Sequence, residues 1–519
     1  MAENASYDIA VSTKRVCDGG VFFCFKNAER YLTKTIFNQT SCLFCEEGFF
    51  QRNKQLLQEV SIDSQQIVNE VAKNDVELQK ILVEKLQQRY KLPKTIIGVT
   101  GTKGKTSTSW YTAQLLAKSG VNCGYIGTIG CYLFDKNGFQ KINKNDILTT
   151  PDIDELYRYI DKLVLTGADA VVFEASSHGL SQHRIDGISV NCSCFTNFSQ
   201  DHLDFHKTME EYFNAKMLLF KEHQKQNDIA ILNADEPKID EILEICQQKN
   251  IQTFLVGTKE NSDLIIKNCK LKNDTQEIEL SCNGNNYVFS TKILGNFQAS
   301  NIAQAIAICH KQFNLEVQTL AQLASSLIAP LGRMQRVKDT NVFIDFAHTP
   351  KSLEESILLA KQISKNVVVV FGCGGDRDHQ KRPIMFEIAK HLASRIIITD
   401  DNIRTEKSED IIEDILCFEN AKKNNDVKNP LLANQFVKDE IAKIRQKYGT
   451  NSEHSVADFT TIPDRKQAIN FAIKNFFNKK DTLILIAGKG HETYQIIGKT
   501  KTHFSDYEEA QNAIQDLKN

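Results

Sequence analysis

From Lys94 onward the chain is punctuated by short apolar runs, each closing on polar or glycine residues and followed by a helical pattern. Five such runs are residues 95–100, 170–173, 342–344, 366–371 and 482–487, and a sixth, 395–399, behaves likewise. Apolar runs bounded by turn signals and alternating with helices predict βαβ units around parallel sheets. In doubly wound parallel sheets ligands bind at the carboxyl ends of the strands, so the functional residues are expected on one rim of each sheet. Residues 1–93 read differently. There Ile67, Val71, Leu78, Ile81, Leu82 and Leu86 recur at helix-like spacing up to Pro93. A helical segment over 301–313 precedes a boundary at Leu331-Gly332-Arg333. The pattern predicts an α/β protein with domains at 1–93, 94–331 and 332–519, as 519 residues suggest.

Composition narrows the partners. A hydrophobic fraction of 41% with 25% charged residues is that of a soluble globular protein, and a formal net charge of −2 gives no footprint for nucleic acid or a membrane surface. No apolar run is long enough to span a bilayer. The segment 1–16 lacks the apolar core of an export signal, so a cytoplasmic location with free thiols is expected for the 14 cysteines. Cys42-x-x-Cys45 has no second pair at zinc-site spacing and reads as structural.

Three constellations carry chemistry. Thr100-Gly101-Thr102-Lys103-Gly104-Lys105-Thr106-Ser107 follows an apolar strand directly and opens a helix. Backbone N–H groups at such a turn suit a triphosphate, with Lys105 reaching the outer phosphates and the Thr106 hydroxyl holding magnesium. Val99 stands at the first-glycine place, so the loop is the shorter G-x-x-G-K-T form. Next comes Glu174-Ala175-Ser176-Ser177-His178, continuing to Gln182-His183-Arg184. A carboxylate at a strand end suits magnesium, and hydroxyls with an arginine suit phosphate; a turn with a capping serine is the plain alternative. The third is Asp201-His202-Leu203-Asp204-Phe205-His206, then Ala215-Lys216. Alone it reads as a polar loop, but with Glu174, His202 completes a candidate second metal site. A free Lys216 amine cannot bind magnesium. It either contacts phosphate or, after reaction with CO2, supplies two carbamate oxygens.

In this order the three resemble the Mur ligase family, over about residues 94–519. The resemblance implies an N-terminal α/β UDP-binding domain, a central P-loop ATPase domain with a parallel sheet, and a C-terminal Rossmann-like domain that closes over the site. It implies an enzyme using ATP and Mg²⁺, and a monomer is the expectation. Gly101, Thr102, Lys103, Gly104, Lys105, Thr106 and Ser107 match the ATP loop. Asn301 falls where the family contacts the adenine side, and Arg333 and Asp345 match closing-domain nucleotide contacts. Thr106, Glu174, His202 and Lys216 match the magnesium set, with Lys216 as the carbamylated lysine. Thr149, Thr150, Ser176, Gln182 and Arg184 match the grip on UDP-MurNAc-dipeptide, and Thr13 would replace a uracil-contacting serine. Gln298 departs from the family's usual Asn.

The resemblance further implies the branch that adds a diamino acid to UDP-MurNAc-L-Ala-D-Glu through an acyl phosphate. Meso-diaminopimelate differs from L-lysine by a distal carboxylate, which calls for a bidentate cation. Asp401-Asn402-Ile403-Arg404 matches the diaminopimelate motif with Ile403 in place of proline; Arg377, Gly488 and Glu492 match its partners. The expectation is therefore meso-diaminopimelate. L-lysine, a folylpolyglutamate synthase-like ligase and a non-catalytic nucleotide-binding relative stand as alternatives.

Overall fold

The computed structural model describes residues 9–16, 20–32, 40–53, 68–143, 147–272, 275–338, 340–423, 428–449 and 457–517. The chain forms two compact units. One is Met1–Lys267 with Leu280–Tyr287 and Ser300–Ala324; the other is Asn268–Glu279 with Val288–Ala299 and Ser325–Asn519. Among the described residues no helix is long and apolar enough to cross a membrane.

The first unit opens on a parallel sheet of β1 (Ile9–Ala10), β2 (Gly20–Cys24), β3 (Thr40–Glu46) and β4 (Val68–Ala72), in that order. Cys42 and Cys45 are buried in β3 and form no disulfide. Helix Asp75–Arg89 follows and buries Leu78, Leu82 and Leu86. This corrects the helical reading of the segment. Val71 lies in β4, the helix begins only at Asp75, and Ile67 lies outside the described residues. A spacing of four keeps two residues on one face of a strand as well as of a helix, so the pattern does not separate the two. Asn74 sets the start: its side chain accepts from the Glu77 amide at 3.0 Å, satisfying a first-turn donor.

The large sheet comprises β5 (Thr95–Thr100), β6 (Cys123–Gly127), β7 (Gly130–Asp135), β8 (Gly138–Lys141), β9 (Ala170–Glu174), β10 (Val190–Phe195), β11 (Gln224–Asn233), β12 (Gln252–Gly257), β13 (Leu264–Lys272), β14 (Thr275–Cys282) and β15 (Asn285–Thr291). Their order is β15-β14-β13-β12-β11-β10-β5-β9-β6-β7-β8, parallel from β12 through β6. β5 sits between β10 and β9, so the turns after these three strands meet on one rim. The expected strand at 170–173 is β9 and reaches one residue further, carrying Glu174 in the strand itself. Helix Lys105–Lys118 leaves β5 and is buried along most of its length. Trp110 fixes it to the sheet, meeting Tyr125, Tyr132 and Phe134 edge-on at centroid distances of 5.5, 5.2 and 4.7 Å.

The second unit is built on β16 (Gln335–Arg336), β17 (Val342–Asp345), β18 (Asn366–Phe371), β19 (Arg395–Ile398), β20 (Asp458–Thr461) and β21 (Thr482–Ala487), in the order β16-β17-β21-β18-β19-β20. All pairs are parallel except β16 with β17. Its inner strands are buried on both faces, which is why they read as unbroken apolar runs instead of alternating ones. The expected runs 342–344, 366–371, 395–399 and 482–487 are all strands, the third closing at Ile398. A hairpin of β22 (Tyr494–Ile497) and β23 (Thr500–His503) stands apart from the sheet.

Candidate active site

The turn after β5 carries the glycine-rich residues expected to bind phosphate. Gly104 ends it at φ 80°, a left-handed conformation, and a Cβ there would stand 2.5 Å from Asn301 Oδ1. Asn301 therefore lies against the loop, and Thr108 donates to it at 3.4 Å. Thr102 N–H donates to Asn197 O and Lys103 N–H to Asn197 Oδ1, both at 2.8 Å. Ser199 N–H donates to Thr102 Oγ1 at 3.0 Å. The polar run after β10 thus packs against the loop through these bonds. Lys105 Nζ bonds the loop's own carbonyls, Gly101 O and Thr102 O, each at 2.9 Å. Ser107 is buried in the helix behind it.

Glu174 sits at the end of β9 with 1% exposure. Four donors converge on its carboxylate: Tyr125 OH at 2.6 Å, Thr128 N–H at 2.9 Å, Thr128 OH at 3.1 Å and Thr106 OH at 3.0 Å. Sequence motifs join Thr106 with Glu174 but miss Tyr125 and Thr128. Thr128 follows the last residue of β6, so the strand-end rule reaches it once β6 is recognised.

Lys216 projects from helix Met209–Glu222, with 1% exposure, and donates to Gly101 O at 2.8 Å. Burial, and then the like charge of Lys105, push its ammonium well below the usual lysine range. Its Nζ lies 4.3 Å from the Tyr212 ring centroid, and the His202 ring meets the same tyrosine edge-on at 5.9 Å. His202 has φ 54°, takes a 2.9 Å bond from its own N–H to Asp201 Oδ1, and packs edge-on to His178 at 4.8 Å. Among the described residues no group of three or more His, Cys, Asp or Glu is arranged to hold a metal. Magnesium in a nucleotide site is held by one or two protein oxygens plus phosphate, however, and the Thr106 hydroxyl and Glu174 carboxylate form such a pair.

The residues matched to the UDP-substrate grip also come together. Thr149 and Thr128 share a 3.0 Å hydroxyl bond, and Thr150 Oγ1 donates to Glu174 O at 2.7 Å. Ser176 N–H donates to Thr150 Oγ1 at 2.9 Å. Arg184 donates to Thr150 O at 2.8 Å and to Gln182 Oε1 at 2.6 Å, and reaches Asp152 at 3.3 Å. Thr13 lies in a turn whose Arg15 binds Asp152 at 2.8 Å and the buried Asp154 at 2.9 Å. Asp152 is thus shared between the N-terminal turn and Arg184.

In the second unit the rim residues form one cluster. Arg404 has φ 51°, and main-chain bonds lace it to the hairpin: Arg404 N–H to Ile496 O at 3.1 Å and Gly498 N–H to Arg404 O at 2.6 Å. Such a backbone costs of order 1 kcal/mol and persists because both its polar groups are engaged. Asn402 donates to Glu492 Oε2 at 2.9 Å and accepts from Lys489 at 3.1 Å. Gly488, at φ 122°, gives Asp401 room: a Cβ there would stand 2.7 Å from Asp401 Oδ2. Burial pushes Glu492 up, and the charge of Asp401 adds to this; Lys489 opposes it. Lys489 has no exposed side-chain surface and carries no role in the sequence motifs, although it lies inside the Gly488-to-Glu492 stretch. Arg377 is exposed, yet its Cγ and the Arg404 guanidinium flank the same glycine, Gly374. Arg333 stacks on Phe346 at 4.6 Å, while Asp345 accepts from the Met334 and Ala347 amides at 2.7 and 2.9 Å and so fixes the Arg333 turn.

A glycine-rich turn between a central parallel strand and a buried helix, with a lysine and a strand-end carboxylate, has the form of a P-loop nucleotide site. Family models agree: residues 99–309 match the Mur ligase middle domain and 332–490 the Mur ligase glutamate ligase domain. The chain is 39% identical over 445 residues to the UDP-N-acetylmuramoyl-L-alanyl-D-glutamate–2,6-diaminopimelate ligase of Rickettsia rickettsii, covering 84% of each chain. It is 32% identical to the enzyme of the same name from Geobacillus kaustophilus, over 98% of this chain and 94% of that one. A solved structure of a ligase of that name superposes with a TM-score of 0.62 at 27% identity, covering 99% and 95% of the two chains. The chain belongs to the Mur ligase family of ATP-dependent ligases.

Proposed function

We propose that this chain joins meso-2,6-diaminopimelate to UDP-N-acetylmuramoyl-L-alanyl-D-glutamate at the expense of ATP, a step in peptidoglycan precursor synthesis. In this reading residues 1–93 bind the UDP end, 94–331 carry ATP, and 332–519 carry the amino acid. The substrate carboxylate oxygen attacks the γ-phosphorus, the bond to the β-phosphate oxygen breaks, and ADP leaves. The amine nitrogen of the amino acid then attacks the acyl phosphate carbon, the carbon–oxygen bond to phosphate breaks, and phosphate leaves as the nitrogen loses its proton. Lys105 moves from its loop carbonyls to the γ-phosphate and meets the charge that develops there. Glu174 and Thr106 would hold magnesium, which neutralises phosphate charge when bound. Lys216, pushed toward its neutral form by burial and by Lys105, can attack CO2 through nitrogen and lose a proton, giving a carbamate that adds oxygen donors beside the loop.

The observation that carries the choice of amino acid is the placement of Arg404, which donates to Asn402 O at 3.2 Å, beside the Asn402–Glu492 pair. It offers a cation for a distal carboxylate and an acceptor for the adjacent ammonium. Lysine lacks the carboxylate, and its ammonium would face the arginine unpaired. Arg404→Ala is expected to lower kcat/KM for meso-diaminopimelate at least about 30-fold, most of it in KM, with KM for ATP unchanged. Phosphate release at varied amino-acid concentration reads this out. Unchanged kcat/KM in a folded variant would refute the assignment.

A further inference from the structure

Beneath the amino-acid cluster lies a second, buried arginine that the reaction does not use. Arg382 belongs to helix Lys381–Leu392, and its side chain is fully buried. Its guanidinium makes a bidentate pair with Glu406, both bonds at 2.9 Å, and a 2.8 Å bond to Asp414. It also donates to Gly374 O at 3.0 Å. Glu406 accepts from the Asp376 amide as well. This pair therefore grips the backbone at Gly374 and Asp376 while standing on the segment that follows Arg404.

The two segments are zipped above that pair. Gly375 N–H donates to Asn402 O at 2.9 Å, Arg404 donates to Gly375 O at 2.8 Å, and Thr405 OH donates to Asp376 at 2.7 Å. The first segment carries Arg377 and the second carries Arg404. A Cβ at Gly374 would lie 2.9 Å from an Arg404 guanidinium nitrogen and 3.7 Å from Arg377 Cγ. Two like charges on separate loops repel, so holding them over one spot needs opposite charge close by; Asp376, whose carboxylate feels both Arg404 and Arg377, supplies it. The bidentate geometry also fixes orientation, which a single point contact would not.

We propose that the pair formed by the buried Arg382 and the partly exposed Glu406 is a positioning element of the amino-acid pocket, locking the Arg377 segment to the Arg404 segment and thereby setting selectivity for a side chain that ends in a carboxylate beside its amine. This rests on Arg404 being the cation that receives the distal carboxylate. Neither Arg382 nor Glu406 touches substrate in this arrangement; both act through the two loops. A purely structural ion pair would instead lower the stability of the second unit and change every kinetic constant alike.

The test is steady-state phosphate release by the full chain, with ATP, the UDP-dipeptide, and either meso-diaminopimelate or L-lysine. Glu406→Gln keeps the side-chain shape and removes one acceptor and the charge. It is expected to raise KM for meso-diaminopimelate about tenfold and to cut the diaminopimelate-to-lysine ratio of kcat/KM by a similar factor. KM for ATP and for the UDP-dipeptide should stay within about twofold, on the same scale. Asp376→Ala, an exposed change that removes the Thr405 bonds, should move the ratio the same way by less. An unchanged ratio in both variants overturns the proposal, as does a uniform loss in all constants or a Glu406→Gln chain that does not fold. A native protein that uses L-lysine as well as meso-diaminopimelate would instead overturn the underlying role of Arg404.

Discussion

Lys105→Ala is expected to lower phosphate release by about a hundredfold to a thousandfold while the fold survives. The side chain bonds two carbonyls of its own loop, and one of them keeps another partner: Gly101 O still accepts from Lys216. The cost of the truncation is expected to fall chiefly on phosphate charge in the transition state. Glu174→Gln should lose as much by a different route. The amide preserves volume in a site with 1% exposure, but it turns one of two acceptor oxygens into a donor facing hydroxyls and an amide N–H. Alanine at this place would confuse the result, because it would strip the Tyr125 hydroxyl and the Thr128 amide of their acceptor at once. Circular dichroism with phosphate release separates the cases: a folded Lys105→Ala protein with native turnover would contradict the loop assignment.

The second large effect is at Lys216. Its amine is fully buried, pushed toward the neutral form, and set beside both the Gly101 carbonyl and the Tyr212 ring. A buried neutral lysine next to a phosphate loop is an ineffective phosphate clamp but a competent nucleophile for CO2. Lys216→Ala should therefore be inactive within the assay, a loss of about a hundredfold or more, and should regain part of its activity with formate or acetate, which place two oxygens in the vacated space. Rescue by short alkylamines in their stead would show that the amine itself is used, and would contradict the carbamate reading.

How far the sequence alone reaches depends on the range of the interaction. The strands that carry the site are buried on both faces, so their apolar runs stand out without reference to partners, and Glu174 and Arg404 fall on their rims from local pattern alone. The bonds that orient them are not local. Thr128 meets Glu174 across 46 residues, and Asn402 meets Glu492 across 90. Lys489 and Arg382 are illegible for a further reason: a buried cation is identified by the carboxylates around it, which no spacing along the chain reveals. Val71 shows the opposite failure, where a local signal is present but fits strand and helix equally. The hairpin from Tyr494 to His503 leaves only a short alternation, yet it holds the Arg404 backbone in its left-handed conformation.

The most direct measurement is competition. Purified protein, ATP and UDP-N-acetylmuramoyl-L-alanyl-D-glutamate are mixed with meso-diaminopimelate and L-lysine at equal concentration, and the products are separated by mass. A ligase whose Arg404 receives the distal carboxylate yields a product heavier by one diaminopimelate less one water, one phosphate released per product, and little lysine adduct. Equal or greater lysine incorporation, or phosphate release that does not require the UDP-dipeptide, would contradict it.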